Sequence, residues 1–155
     1  MRTLMIALFA LLATPAFAQD WGHYDNARFG FGIDIPPGFA GAGEGENGDG
    51  QAFKAEGKPT FVLVWAGNLT DGFESGVAEA MQFTQDEGWN ISYQAATPDW
   101  ASFSAVKGSR VLYQRMVLLC DGASYASFLA EYSAVDVGDM NPVVERLVQS
   151  LRGNC

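Results

Sequence analysis

Histidine is nearly missing from this chain of 155 residues, where His23 is the only one. A Ser/His/Asp or Cys/His arrangement would have to be built around that one side chain close to the start of the sequence, where segments are commonly loose, so nucleophilic catalysis is disfavoured. Cysteine is almost as scarce. Two thiols, without further imidazoles, fall short of the four ligands of a structural zinc site, and they do not form the CxxC of a redox couple. Basic residues number nine against eighteen acidic ones, for a net charge of −9, and no Lys/Arg cluster stands out. Phosphate backbones and anionic lipid surfaces repel such a chain, which excludes nucleic acid as a partner. Long apolar runs are absent too. The longest, Leu4–Ala13, is far shorter than the roughly 20 residues of a membrane-spanning helix.

That run instead has the form of a secretory signal. Arg2 supplies the positive start, Leu4–Ala13 the apolar middle, and Ala16-Phe17-Ala18 an AxA cleavage box. The sequence therefore predicts a signal peptide over 1–18, a mature single domain over 19–155, and a soluble protein of the bacterial periplasm or beyond. The remaining length suits one hydrophobic core, and its apolar and aromatic content is too high for a disordered chain.

Periodicity outlines the elements. In YDNARFGFGIDI, Phe29, Phe31, Ile33 and Ile35 alternate until Pro36 and Pro37, which predicts a first strand or a short hairpin bent at Gly30. QAFKA and TFVLVWA follow; the second is apolar at every position from Phe61 to Trp65 and reads as a central strand covered on both faces. Residues 71–88 switch to helical spacing. Asp71 is the expected cap with Glu74 reaching back to it, Phe73, Val77, Ala80, Met81 and Thr84 form the inward stripe, and Gly88 ends the helix. Four more strands follow, in ISYQA, WASFSAV, RVLYQRMVLLC and SYASFLAEYSA, with the tight Lys107-Gly108 and Asp121-Gly122 turns that join antiparallel neighbours. A last helix is predicted with Asn141 as cap, Pro142 at its first position, and Val144, Leu147, Val148 and Leu151 facing inward. The fold class is α+β: a mostly antiparallel sheet covered by two helices.

Cys120 follows a strong strand and Cys155 follows the last helix, on the continuation of its inward Leu147 and Leu151 spacing. An even count in an exported chain favours a structural disulfide between them over a redox or metal pair, and closing that loop stabilises by about 4 kcal/mol on the chain-entropy model.

The stretch GAGEGENGDG, Gly41 to Gly50, carries three carboxylates and satisfies GxGxxG at Gly43, Gly45 and Gly48. A dinucleotide turn needs a strand feeding in and a helix opening after it. Here two prolines precede the stretch, strand-like QAFKA follows, and Glu44 and Glu46 would repel a phosphate. Calcium is the better rival, since Glu44, Glu46 and Asp49 are oxygen ligands, but the spaced ladder of an EF-hand loop is missing. NGDG is foremost a hairpin turn. Glu74, Glu79, Asp86 and Glu87 read as a solvated helix surface, so no catalytic residue, cofactor site or metal site is assigned.

Tyr24 to Phe39, YDNARFGFGIDIPPGF, resembles the opening of PsbP-like proteins and the related Ran-binding fold, through Phe31, Ile33, Pro37 and Gly38, with Phe39 where that family often has Trp. The resemblance covers most of 24–151. It implies an antiparallel sheet between helices and an accessory or binding role, and it carries no binding residue onto this chain. The sequence reading is thus a non-catalytic exported protein that binds an envelope protein or another macromolecule; the alternative is a carboxylate- or metal-dependent hydrolase. Trp21, Trp89 and Trp100, at element ends, are the candidate interface anchors.

Overall fold

The computed structural model describes residues 20–155. The expected signal segment and its cleavage site lie outside the described residues. Of the two readings of the first segment, the hairpin holds. β1 (Gly22–Asn26) and β2 (Phe31–Ile35) pair antiparallel, and Gly30 takes a φ of 67° at the turn, where a side chain would be strained.

β3 (Phe39–Gly41), β4 (Gly50–Ala55) and β5 (Phe61–Asn68) follow, then helix α1 (Gly72–Asp86). β6 (Asn90–Ala96), β7 (Trp100–Lys107), β8 (Arg110–Leu118) and β9 (Ser124–Ser133) are the four expected strands. A short 3-10 turn (Ala134–Asp136) leads into helix α2 (Val137–Ser150), and β10 (Arg152–Gly153) comes after it. The α+β class therefore holds, with one refinement. There are two antiparallel sheets, a large one in the order β3-β4-β5-β9-β8-β7-β6 and a small one in the order β1-β2-β10.

The two helices lie on opposite faces of the large sheet and over different strands. One face carries Val62, Val64 and Ala66 of β5 opposite Ala130, Phe128 and Ala126 of β9. These residues form the main core with Phe31 and Ile33 of β2 and with Met140, Val144 and Leu147 of α2. On the other face, Phe73 and Val77 of α1 pack on Ala101 and Met116, while Ala80 and Met81 meet Phe103, Ala105 and Leu112. α1 thereby covers β6, β7 and β8 and leaves the same face of β5 and β9 without a helix among the described residues.

Several local expectations change. Asp71 occupies the cap position of α1 but makes no side-chain capping bond; the helix enters through Gly72 at φ 82°, which leaves the carboxylate aimed elsewhere. α2 begins at Val137, five residues before Pro142, so Asn141 is no cap and the proline sits inside the helix. The 3-10 turn delivers the chain already wound, and burial of Met140 in the core extends the helix backward across the proline. Leu151 is extended at ψ 113°, so Cys155 is not on the helix face. It follows β10, where Arg152 and Gly153 pair with Gly32 and Phe31.

Candidate functional site

The uncovered face is a groove of about 510 Å³. Its floor is built by alternation: Phe61, Leu63 and Trp65 are the side chains of β5 opposite to Val62 and Val64, and Leu63 lies across from Leu129 of β9, which lies across from Gln114 of β8. The surface of α1 that faces the groove forms one wall through Gly76, Ala80 and Phe83, and Trp89 extends that wall. Leu63 is 37% exposed and Phe83 67%. An apolar surface of this kind on one side of a sheet is costly to leave in water, at about 25 cal/mol per Å², and contiguous patches mark contact sites.

Close approach shapes one end. A Cβ at Gly76 would meet Leu69 at 2.8 Å, so the bare glycine lets Leu69 lie flat against α1. A Cβ at Gly67 would stand 3.1 Å from the ring of Tyr125, which therefore lies across the strand there.

The charges lining the groove are all negative: Glu79, Glu87 and Glu131. Glu131 is neutralised by Arg110, whose Nε donates at 3.0 Å while its Nη2 donates to the Pro59 carbonyl at 2.6 Å. Glu79 and Glu87 are two helical turns apart, about 12 Å along the axis, too far to share a proton or flank a reacting atom. Lys107 Nζ donates to the Glu87 carbonyl at 2.6 Å and lies 5.9 Å from the Trp89 ring centre. Among the described residues, no histidine, cysteine or serine lines the groove. The arrangement offers a sticky apolar floor with acidic edges, which suits binding.

His23 is not loose. It lies on β1, its Nδ1 3.0 Å from Asp34 and its Nε2 3.3 Å from Asp25. Arg146 Nε also donates to Asp34, at 3.0 Å, joining β2 to α2. Burial pushes the Asp34 carboxyl up, but hydrogen bonds from His23 and Arg146 outweigh it and hold the group below its ordinary value. This cluster is on the small sheet and does not reach the groove.

The Gly41 to Gly50 stretch is a hairpin connection between β3 and β4, with φ 88° at Gly43 and 64° at Gly48. Its carboxylates do not converge: among the described residues no three His, Cys, Asp or Glu side chains are grouped for a metal. Glu44 instead accepts from Tyr24 Oη at 2.8 Å, Asn26 donates to the Gly48 carbonyl at 2.9 Å, and Arg28 donates to the Asn47 carbonyl. Burial, reinforced by the nearby Glu44, pushes the Tyr24 phenol up to about 12. The loop is thus pinned to β1.

Cys120 and Cys155 come to disulfide distance, with Cα atoms 5.9 Å apart. The three tryptophans singled out by position are each half-buried under a cation: Trp21 by Arg146 at 4.3 Å, Trp100 by Arg115 at 4.1 Å, Trp89 by Lys107. Only Trp89 of the three lines the groove. The anchors missed in the sequence are Trp65, which an all-apolar strand disguises as core, and Phe83, which stands off the inward stripe of α1. A large aromatic on the polar side of an amphipathic helix was the available signal.

A large antiparallel sheet with a helix on each face, opened by a hairpin that pairs with β10, defines a PsbP/Mog1-like fold. Solved structures of that fold align over nearly their whole length. The cyanobacterial PsbP (CyanoP) of Synechocystis sp. PCC 6803 superposes with a TM-score of 0.65 at 11% identity, covering 90% of this chain and 96% of its own. The Ran-binding protein Mog1p of Saccharomyces cerevisiae gives 0.63 at 8% identity, with 88% and 97% covered. A Mog1 mutant gives 0.61 at 8% identity, with 85% and 95% covered. No family model and no curated protein matches the sequence. At such identities the likeness is one of fold.

Proposed function

We propose that this chain is an exported, non-catalytic binding protein whose mature domain, 19–155, works in the bacterial periplasm by holding a partner protein of the envelope through the groove over β5 and β9. The observation that carries this reading is the groove itself: Leu63 and Phe83 stand exposed beside Trp65 and Trp89 on a face that no helix covers among the described residues. Trp and other aromatics of this kind anchor interfaces. A neighbour of the same fold is named for binding a protein, Ran, which supports an interaction role without identifying this chain's partner. Export is supported by the three-part segment over 1–18 and by a cysteine pair at bonding distance.

The test is site-specific photo-crosslinking in the native envelope. A crosslinker at Leu63 should capture a discrete protein, whereas one at Val135, 90% exposed and outside the groove, should not. Equal capture from both sites, or none from Leu63, refutes the reading. Intact mass of the periplasmic protein decides whether it begins at Gln19.

A further inference from the structure

Resting on that reading, we infer that the groove is the seat of a helix: the partner presents a short amphipathic α-helix with basic residues beside its apolar face, lying alongside α1. The large sheet is wider than one helix per face can cover. Seven strands about 4.8 Å apart span about 29 Å between the outer axes, and a helix covers only about 10 Å. One helix per face is therefore too few. On the face in question α1 occupies the β6–β8 side, and the strip from β4 to β9 that remains is two strand spacings wide, about 10 Å, one helix diameter. The groove wall of α1, from Gly76 to Glu87, is about 16 Å long, or three turns. A partner helix of that length can turn bulky apolar residues at i, i+3 or i+4, and i+7 onto the floor made by β5 and β9, with Phe83 against its flank.

Charge sets the sign of the occupant. Every charged residue lining the groove is a glutamate; of the three, Glu131 is paired with Arg110, Lys107 donates to the Glu87 carbonyl at the end of the α1 wall, and Lys54, opposite Phe61 on β4, stands across the strip from α1. Glu79 and Glu87 run along the α1 wall, where the polar flank of a neighbouring helix would lie. The whole chain carries −9, so long-range attraction favours a cationic partner as well. An extended segment fits less well, because the strip is bounded by paired strands and a helix, with no free strand edge along it to bond.

The probe is a synthetic peptide about 14 residues long, made of Leu and Lys with the leucines at helical spacing. Two companions control for pattern and charge: the same composition in strict alternation, and the helical pattern with Glu for Lys. Titration into the oxidised protein is followed by tryptophan emission and by amide chemical shifts. The expected result is saturable binding of the helical Leu/Lys peptide alone, with shifts at Leu63, Trp65 and Phe83. Binding should weaken about tenfold in the double variant Glu79→Lys/Glu87→Lys and vanish in Leu63→Asp. Phe83→Asp, on the exposed helix surface, gives the same loss should Leu63→Asp prove unfolded by circular dichroism. Equal binding of the alternating peptide or of the acidic one, binding indifferent to Leu63→Asp and Phe83→Asp, or no binding overturns the inference. Capture of a partner from Leu63 in the envelope, with failure of the helical peptide, would leave the binding role standing and remove only the helix.

Discussion

The two faces of β5 are made of similar residues and have opposite fates. Val62, Val64 and Phe128 are fully buried beneath α2 and β2, whereas Phe61, Leu63, Trp65 and Leu129, one residue along the same strands, line an open groove. On β5 hydrophobicity does not separate the faces; what separates them is whether an element of the chain lies above. An apolar side chain is core when something covers it and an adhesive surface when nothing does.

Mutations should expose the difference. Phe128→Ala removes a side chain with no exposed surface and is expected to cost about 3–5 kcal/mol, enough to unfold much of the population, measured by urea denaturation. A cost near 1 kcal/mol would mean that the covered face is loosely packed and the contrast smaller than described. Next comes the layer that does the covering. A Cys120–Cys155 bond ties β10, and through it β2, over the main core, so reduction should lower stability by about 4 kcal/mol. Two alkylatable thiols in freshly isolated, unreduced protein would show that the layer is held without it.

Smaller effects belong to the rim of that layer. Tyr24 donates to Glu44 and accepts from Asn26, and Tyr24→Phe should cost about 1–2 kcal/mol. Its phenol, pushed up to about 12 from 10.0, favours the folded state fully below pH 10, and that contribution is lost as pH rises toward 12. The variant should therefore lose less stability than the parent over that alkaline range, and an unchanged alkaline profile would separate the pinned loop from the fold. At the acid end the sign reverses. Asp34, held below 3.8, contributes above that value and ceases to contribute as pH falls through its lower folded value, so Asp34→Asn should flatten the acid limb of the stability curve. The smallest effect is expected on the open face. Phe83→Ala should change stability by less than about 1 kcal/mol while weakening capture of the partner, since 67% of its surface is still exposed in the protein alone.

The course of the chain was largely legible in the sequence. Alternation located the strands, the Phe73, Val77, Ala80 spacing located α1, and the turn glycines separated neighbouring strands. The groove was not, because β5 carries apolar residues on both faces, and a single strand holds no record of how many helices are available to cover it. That information is distributed along the chain: among the described residues, the seven strands of the large sheet against two helices leave a face short of cover. Pro142 misled for a related reason: it fits a local rule for helix starts, but the entry geometry and the core set the boundary at Val137 instead, whereas Asp71 does stand at the cap of α1 and only its capping bond is missing. His23 looked mobile because it is near the beginning of the sequence, but what holds it is Asp34 on the paired strand and, through Asp34, the distant Arg146.

The pairing of β10 with β2 also bears on when this protein can finish folding. Phe31 pairs with Gly153 and Gly32 with Arg152, and the Asn154 amide donates to the Gly30 carbonyl at 2.8 Å. These partners are separated by most of the sequence, and contacts that distant are the slowest to form. The small sheet therefore cannot close until residues 152–154 are free to reach the first hairpin. A chain released from its N-terminus onward would leave this small sheet unclosed until those residues were free, and would complete it only then.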